Sequence, residues 1–369
     1  MLPDLMQVSR ETEAPPFFVV GSGRSGSTLL RMMLASHSRI EIPPETWFLL
    51  PLVEKFPIDQ PLSSAELSQV VTVMTTDYRW PDMKITGEEL QERVAALATA
   101  RMRDVVRIVY DIHLQRSGKV RWGDKTPPYV RIIPQLSKLF PGARFIYLVR
   151  DGRDVAKSFQ SLRVYGKSVR QNTIEWREAI RWERKWLASR HASSMLRVRY
   201  EDLVLEPEAT LRGICEFIGE PFEPQMLSWQ ESVERLVPKR ELHVHEKLVR
   251  TASHGDVARW TREMNYREVF ITEAFMGRDL RRFGYVCRFR ASVWHPVFWA
   301  IRVYYDFLLP LNPIRVVQSF AKRLRRETVS EAFAASRAAT HEPAAAVQAR
   351  GPGPRAVDPS KVGLRRYLR

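Results

Sequence analysis

A glycine- and hydroxyl-rich turn follows the first apolar segment of the chain. Residues 17–36 read FFVVGSGRSGSTLLRMMLAS. Gly21, Gly23 and Gly26 permit backbone angles that let successive N–H groups point at one anion. A helix beginning directly behind them would add the positive end of its dipole. This stretch therefore predicts a strand, an anion-binding loop and a helix.

The same loop differs from the loops that bind nucleoside triphosphates. Gly21 and Gly26 keep the spacing of G-x-x-x-x-G-K-[ST], but Ser27 stands where the lysine belongs. That lysine reaches the β- and γ-phosphates, so its absence argues against a triphosphate ligand. Arg24 supplies a positive charge inside the loop instead. The hydroxyl donors around it are Ser25, Ser27 and Thr28.

A second strand-to-helix junction lies in residues 143–158, ARFIYLVRDGRDVAKS. Arg150 falls at the carboxyl end of an apolar strand predicted over 145–149. Ser158 follows one to two helical turns later, so both side chains can converge on one phosphate. We therefore expect a second anion site here.

In their order and spacing, the two junctions resemble the sulfotransferases that use 3′-phosphoadenosine-5′-phosphosulfate (PAPS). The first loop reads G-R-S-G-S-T-L, with Gly23 where that family usually carries proline. The resemblance implies that Arg150 and Ser158 bind the 3′-phosphate of PAPS. It also implies that the first loop holds the 5′-phosphate through Gly23, Arg24, Ser25, Gly26, Ser27 and Thr28.

The resemblance further assigns catalytic roles at two later segments. Glu45 lies in an E-T dipeptide after Pro43-Pro44, as in members similar to the tyrosylprotein sulfotransferases, where such a glutamate is the general base. Lys125, in G-D-K-T-P, would lie beside the bridging oxygen of the phosphosulfate, and Arg24 would help stabilise that leaving oxygen. The implied reaction is in-line sulfuryl transfer to an acceptor hydroxyl, with no metal and no covalent intermediate.

Two further positions are carried over from the family. In R-Y-E-D-L, Tyr200 is implied to approach the adenine. Arg259, just before Trp260, is implied to contact a phosphate from a loop that closes over the cofactor, together with Arg250 and Ser253. The histidines of this region lack the spacing of a zinc site, so we expect no metal. They are His243, His245 and His254.

Strand-like segments at 17–20, 40–42, 119–122, 145–149 and 196–200 alternate with helical ones. This alternation predicts an α/β fold, a three-layer parallel sheet with helices on both faces and the site at the carboxyl ends of the strands. The expected organisation begins with an N-terminal arm, 1–16, and a sulfotransferase domain, 17–284, which contains a helical insertion at 60–116. An amphipathic basic segment, 285–326, and a disordered tail, 327–369, follow.

Composition constrains the partners and the compartment. The net charge of +16 suits an anionic partner but does not select one. Only two cysteines occur and the start of the chain has no apolar leader, so we expect a cytoplasmic protein. The acceptor hydroxyl of a tyrosine, a carbohydrate or a lipid stays open. We expect no specific nucleic acid, and residues 286–326 would serve peripheral membrane contact, self-association or docking on the domain.

Two other classes of protein are compatible with parts of the sequence. A nucleotide kinase or NTPase would share the first loop, but it needs the missing lysine and a magnesium-binding aspartate. A basic membrane- or nucleic-acid-binding protein would explain the charge. That alternative gives the two strand-loop-helix junctions no purpose.

Overall fold

The computed structural model describes residues 14–97, 100–161, 169–189, 192–232 and 256–289, together with Pro296. The chain divides into two units, 1–289 and 290–369, and all the elements given below belong to the first. The predicted tail and nearly all of the predicted basic C-terminal segment lie outside the described residues. So do Arg250, Ser253 and the three histidines considered for zinc.

Five parallel strands form one sheet in the order β2-β3-β1-β4-β5. They are β1 (Phe17–Gly21), β2 (Ile40–Glu41), β3 (Arg121–Lys125), β4 (Arg144–Val149) and β5 (Met195–Arg199). The predicted parallel α/β fold is confirmed. Strand β3 begins and ends later than the strand predicted at 119–122. It extends to Lys125, which pairs with Val19 of β1.

Twelve α-helices accompany the sheet in the described ranges. They are α1 (Ser27–Ala35), α2 (Leu49–Lys55), α3 (Ser64–Thr75), α4 (Gly87–Ala95), α5 (Met102–Ser117), α6 (Ile133–Leu139), α7 (Gly152–Ser161), α8 (Val169–Leu187), α9 (Tyr200–Leu205), α10 (Pro207–Ile218), α11 (Trp260–Glu263) and α12 (Tyr266–Arg282). Short 3₁₀ turns include Trp80–Met83 and Pro127–Arg131. Tyr200, predicted as the end of a strand, is the first residue of α9.

The core lies on both faces of the sheet, as the alternation of side chains along a strand requires. In β1, Phe18 and Val20 pack in one buried cluster, while Phe17 and Val19 pack in the other. The first cluster also contains apolar residues of α3, α4 and α5, and the second contains those of α1 and α10. Helices therefore cover each face, and the loops that follow the strands are left to build a site.

The helices of residues 60–116 have clear starts. Ser63 caps α3 in a capping box with Glu66, and Thr86 accepts from the backbone N–H of Glu89 at the start of α4. Between them, the Trp80–Met83 turn holds the indole of Trp80 in the core. The preceding residue, Arg79, is thereby directed to the carboxyl edge of the sheet, where it reaches Glu45.

Candidate active site

The first anion loop leaves β1 at Gly21 and enters α1 at Ser27. A Cβ at Gly21 would lie 2.5 Å from the carbonyl oxygen of Leu148, so only glycine lets β1 pass that close to β4. Arg24 has a φ of 65° and Gly26 a φ of 92°, which turns the chain sharply into the helix. Helix α1 has no side-chain N-cap and no acidic residue in its first turn. Its first N–H groups and the positive end of its dipole thus suit an anion.

The predicted hydroxyl donors occupy this turn. Ser25 is buried, and its Oγ lies 2.6 Å from Oγ of Ser22. Ser27 and Thr28 are the first two residues of α1. Gly23 packs against the ring of Phe159, where an added Cβ would lie 3.0 Å from Cζ.

The second anion loop lies next to the first. Strands β1 and β4 are neighbours, with Gly21 paired to Leu148, so Arg150 emerges beside the first loop. The two loops are also joined by a side-chain bond, since Nε of Arg24 donates to Oγ of Ser158 at 3.2 Å. The two bonded residues are 134 positions apart in the sequence, so the structure brings the two motifs together.

Arg150 is held as a preformed cation. Its side chain is buried, its Nη2 donates to the carbonyl of Asp256 at 2.9 Å, and its guanidinium lies 4.2 Å from the ring centroid of Tyr200. Within the described residues its buried Nε has no hydrogen-bond acceptor. A buried donor of this kind is costly unless a partner arrives. The geometry fits the binding of an anionic oxygen.

Tyr200 separates the two anion loops. Its ring packs so closely on Gly26 that a Cβ there would lie 2.3 Å from Cδ2 of the tyrosine, and the same ring also contacts the guanidinium of Arg150. Burial raises the pKa of its phenol, against the opposing effect of Arg150. These contacts make Tyr200 part of the wall between the loops. Its approach to adenine stays a prediction.

Glu45 and Lys125 form an ion pair at the carboxyl end of β3. Nζ of Lys125 donates to Oε1 of Glu45, and the indole N–H of Trp47 donates to Oε2 at 2.7 Å. Arg79 lies 3.3 Å from the same Oε2. Burial would raise the pKa of Glu45, but the charges of Lys125 and Arg79 outweigh it and hold the pKa well below its ordinary range. Glu45 is therefore ionised at neutral pH.

A short segment after residue 255 packs beside the second loop. The backbone N–H of Trp260 donates to Oδ1 of Asp154 at 2.7 Å, and its ring lies 3.7 Å from the guanidinium of Arg153. The predicted phosphate contact Arg259 instead forms an ion pair with Glu263, at 2.6 Å. The Arg259 side chain is thus directed along α11, and its role toward phosphate stays a prediction.

Several residues at the site were not predicted from the sequence. Arg79 is stacked between aromatic rings, 5.5 Å from that of Trp47 and 5.3 Å from that of Tyr78. Arg79 precedes Trp80-Pro81, and no motif in the sequence singles it out. Thr46 and Asp124, next to the predicted catalytic residues, are fully buried and hydrogen-bonded to each other. Across the described ranges, no cluster of three or more metal-ligating side chains and no membrane-spanning helix is found.

Comparison with known proteins agrees with this architecture. The family model described as "Sulfotransferase family" matches residues 15–224, more than half of the chain. That match includes both anion loops, Glu45, Lys125 and Tyr200. The chain belongs to the sulfotransferase family, as the resemblance of its motifs predicted.

The relatives identified by sequence include protein-tyrosine sulfotransferases. Protein-tyrosine sulfotransferase A of Caenorhabditis elegans is 27% identical over 225 residues, which cover 60% of this chain and 54% of that protein. The Drosophila melanogaster protein-tyrosine sulfotransferase is 25% identical, with 62% and 42% covered. The chain thus spans about half the length of the curated relatives it matches. The nodulation protein NoeE of Sinorhizobium fredii is 30% identical over 157 residues, 42% of this chain and 33% of that protein.

Solved structures share the fold. The sulfotransferase domain of the Synechococcus PCC 7002 olefin synthase superposes with a TM-score of 0.51 at 24% identity, covering 72% of this chain and 96% of that domain. The sulfotransferase domain from the curacin biosynthetic pathway gives 0.50 at 23% identity, with 74% and 99% covered. At these identities the likeness concerns the fold.

Proposed function

We propose that this protein transfers a sulfuryl group from PAPS to an acceptor hydroxyl. The observation that carries the proposal is the pair of anion loops on neighbouring strands, joined by the bond from Arg24 to Ser158. A donor with phosphate groups at two ends matches two adjacent anion sites. The unpartnered Nε of Arg150 within the described residues supports the assignment of the 3′-phosphate to the second loop.

Each functional side chain then has one role. When bound, PAPS supplies the sulfuryl group and the bisphosphate that leaves. Glu45 accepts the proton of the acceptor hydroxyl, a contribution of roughly 10²–10⁴-fold for a well-placed base. Lys125 and Arg24 offset the negative charge that develops on the departing oxygen. Arg150 and Ser158 fix the far end of the donor, which orients its reactive end.

The ion pair at the site explains how Glu45 could be both ionised and reactive. While Lys125 and Arg79 hold its pKa low, Glu45 carries its charge but is a weak base. An anionic donor beside Lys125 competes for the ammonium and weakens the pair. Glu45 then becomes a stronger base when the donor is in place, which couples proton removal to donor binding.

The acceptor is proposed by class. The relatives named protein-tyrosine sulfotransferases support a hydroxyl-bearing acceptor on a protein, with tyrosine as the first candidate. Carbohydrate and lipid hydroxyls are the other candidates. Trp47 and Tyr78 offer apolar surface next to the base, and Arg79, which lies over both rings, offers positive charge.

Calorimetry with the desulfated product, 3′-phosphoadenosine-5′-phosphate (PAP), tests the donor. PAP should bind far more tightly than AMP, because a hydrogen bond to a charged group contributes about 1.5–3 kcal/mol, or roughly 10- to 150-fold. Arg150→Gln should remove this preference. The control Arg131→Gln, which removes an arginine whose ion-pair partner is Glu178, should leave the preference intact.

Transfer of label from PAPS to tyrosine peptides, oligosaccharides and lipids then identifies the acceptor class. Equal affinity for PAP and AMP would overturn the donor assignment. Hydrolysis of ATP that requires Mg²⁺ would favour the nucleotide kinase or NTPase alternative instead.

A further inference from the structure

Three consecutive residues at the end of β3 bind the dipeptide Glu45-Thr46. Oδ2 of Asp124 accepts from the hydroxyl of Thr46 at 2.6 Å. Lys125 pairs with Glu45, and the backbone N–H of Thr46 donates to Oγ1 of Thr126 at 3.1 Å. The loop that carries the proposed base is thus joined to the strand that carries the proposed cation at three successive positions.

Two buried tyrosines complete this attachment. The hydroxyl of Tyr129 donates to the backbone carbonyl of Thr46 at 2.7 Å, and the hydroxyl of Tyr110 donates to Oδ2 of Asp124 at 3.0 Å. The N–H, the C=O and the side-chain hydroxyl of Thr46 all have partners in this network. Thr46, Asp124, Tyr110 and Tyr129 are each 0% exposed. None of them can touch a donor or an acceptor.

The network matters because the ion pair cannot fix Glu45 throughout the proposed reaction. Lys125 is shared with the anionic donor once the donor binds, so the pair is then a weaker restraint. The bonds to Thr46 do not involve the donor and persist. They hold the backbone directly after Glu45 at a fixed position relative to the end of β3.

We propose that Thr46 is a positioning residue, which Asp124 and Tyr129 lock so that Glu45 stays aligned with Lys125 and the reacting oxygen. This inference rests on the proposed function of Glu45. It adds a buried residue that acts on the chemical step only through its neighbour. Thr46→Val removes the hydroxyl at nearly constant shape, and Thr46→Ser keeps the hydroxyl and serves as the matched control.

The first readout is the separation of turnover from binding. Because a misplacement of about 1 Å can cost roughly 10²-fold, Thr46→Val should lower kcat by about 10- to 100-fold. The affinity for PAP and the KM for PAPS should stay at the wild-type values, and Thr46→Ser should retain turnover. In a Glu45→Gln background, Thr46→Val should cause no further loss of kcat, because its effect passes through Glu45.

The second readout needs no turnover. In ¹³C-glutamate NMR spectra, with Glu45 assigned by its loss in Glu45→Gln, Thr46→Val should raise the pKa of Glu45 toward its ordinary range as the pair with Lys125 loosens. The contact with Arg79 is the same in both proteins. Burial raises the pKa of Asp124 to about 6, and loss of the Thr46 hydroxyl raises it further, so Asp124 is protonated in both proteins while Glu45 titrates. Thr46→Ser should titrate like the wild type.

Each failure has a distinct meaning. Wild-type kcat and an unchanged Glu45 titration in Thr46→Val would overturn the inference, as would loss of PAP affinity in parallel with kcat, which indicates a general structural defect. Absence of PAPS transfer by the wild type would overturn the proposed function, and the titration would then still decide whether Thr46 orders the pair. If Thr46→Val does not fold, Tyr129→Phe removes the hydroxyl that contacts both the carbonyl and the Oγ1 of Thr46 and also accepts from the backbone N–H of Leu49. It should change the same two readouts in the same direction.

Discussion

Replacement of Glu45 by glutamine is the most direct test of the proposed chemistry. The change keeps the shape of the side chain and an acceptor for the indole N–H of Trp47, but it removes the negative charge that Lys125 and Arg79 share. Turnover should fall by about 10²-fold or more, because glutamine cannot accept the proton. PAP affinity should equal or exceed that of the wild type, since Lys125 then attracts the donor without competition from Glu45.

Glu45→Gln should also lower the free energy of unfolding, by an amount that the burial of the ion pair limits. The side chain of Lys125 is 3% exposed and that of Glu45 is 15% exposed, so the pair lies between a surface and a buried ion pair. Loss of one partner costs up to ~1 kcal/mol at a surface and ~3–5 kcal/mol in a core. We expect about 2 kcal/mol here, which for a domain of this size lowers Tm by about 4–8 °C.

Single-turnover transfer from labelled PAPS, PAP calorimetry and thermal melts measure the three effects. Glu54→Gln, the same chemical change at an exposed position of α2, controls for the loss of one negative charge and should match the wild type. Near wild-type turnover in Glu45→Gln would refute the reasoning. A collapse of both PAP affinity and Tm would assign Glu45 a structural role.

Three further expectations follow from the packing and the charges. Gly26→Ala should abolish PAP binding, because its Cβ would clash with Tyr200 at 2.3 Å, whereas Gly213→Ala, with no atom within 4 Å of the new Cβ, should bind PAP normally. The contribution of Asp154 to stability should decrease from about pH 4 to 7, because burial raises the pKa of Asp154 from 3.8 to about 6 despite Arg150, so the folded chain keeps a proton that the unfolded chain releases. In urea unfolding, the difference in stability between Asp154→Asn and the wild type should therefore change by at most about 3 kcal/mol over this pH range, and parallel pH profiles would contradict the shift. A chain ending at Phe289 should bind PAP like the full chain, because it retains the hydrogen bonds that Glu273 accepts from the N–H groups of residues 288 and 289; loss of binding by a folded truncation would contradict this.

The sequence predicted those features whose signals are local. Each anion loop is encoded within one contiguous segment, where glycines, an arginine and hydroxyl residues stand at fixed spacing around a strand end. The parallel sheet follows from the alternation of apolar strands and helices. The limits of β3 were harder to predict, because Gly123 and Asp124 are poor strand formers that pair only because β1 lies alongside.

The contacts between distant segments could not be predicted in the same way. Arg79 reaches Glu45 because a helical region folds back over the sheet edge, and no spacing in the sequence encodes that approach. The bond between Thr46 and Asp124 joins residues 78 positions apart. Motif resemblance located Tyr200, but its packing on Gly26 depends on how α9 meets the first loop.

The adjacency of β1 and β4 sets the distance between the two anion loops of the proposed donor site. Neighbouring strands in a sheet are about 4.8 Å apart, and the ladder of backbone hydrogen bonds holds that spacing far more rigidly than loops could. The bond from Arg24 to Ser158 adds a second restraint between the two anion loops. The relative position of the two anion loops is therefore set by the sheet and by this bond. In the proposed complex, a nucleotide with a phosphate at only one end would contact one anion loop and leave the buried guanidinium of Arg150 without an anionic ligand, so the two loops would favour a donor with phosphates at both ends.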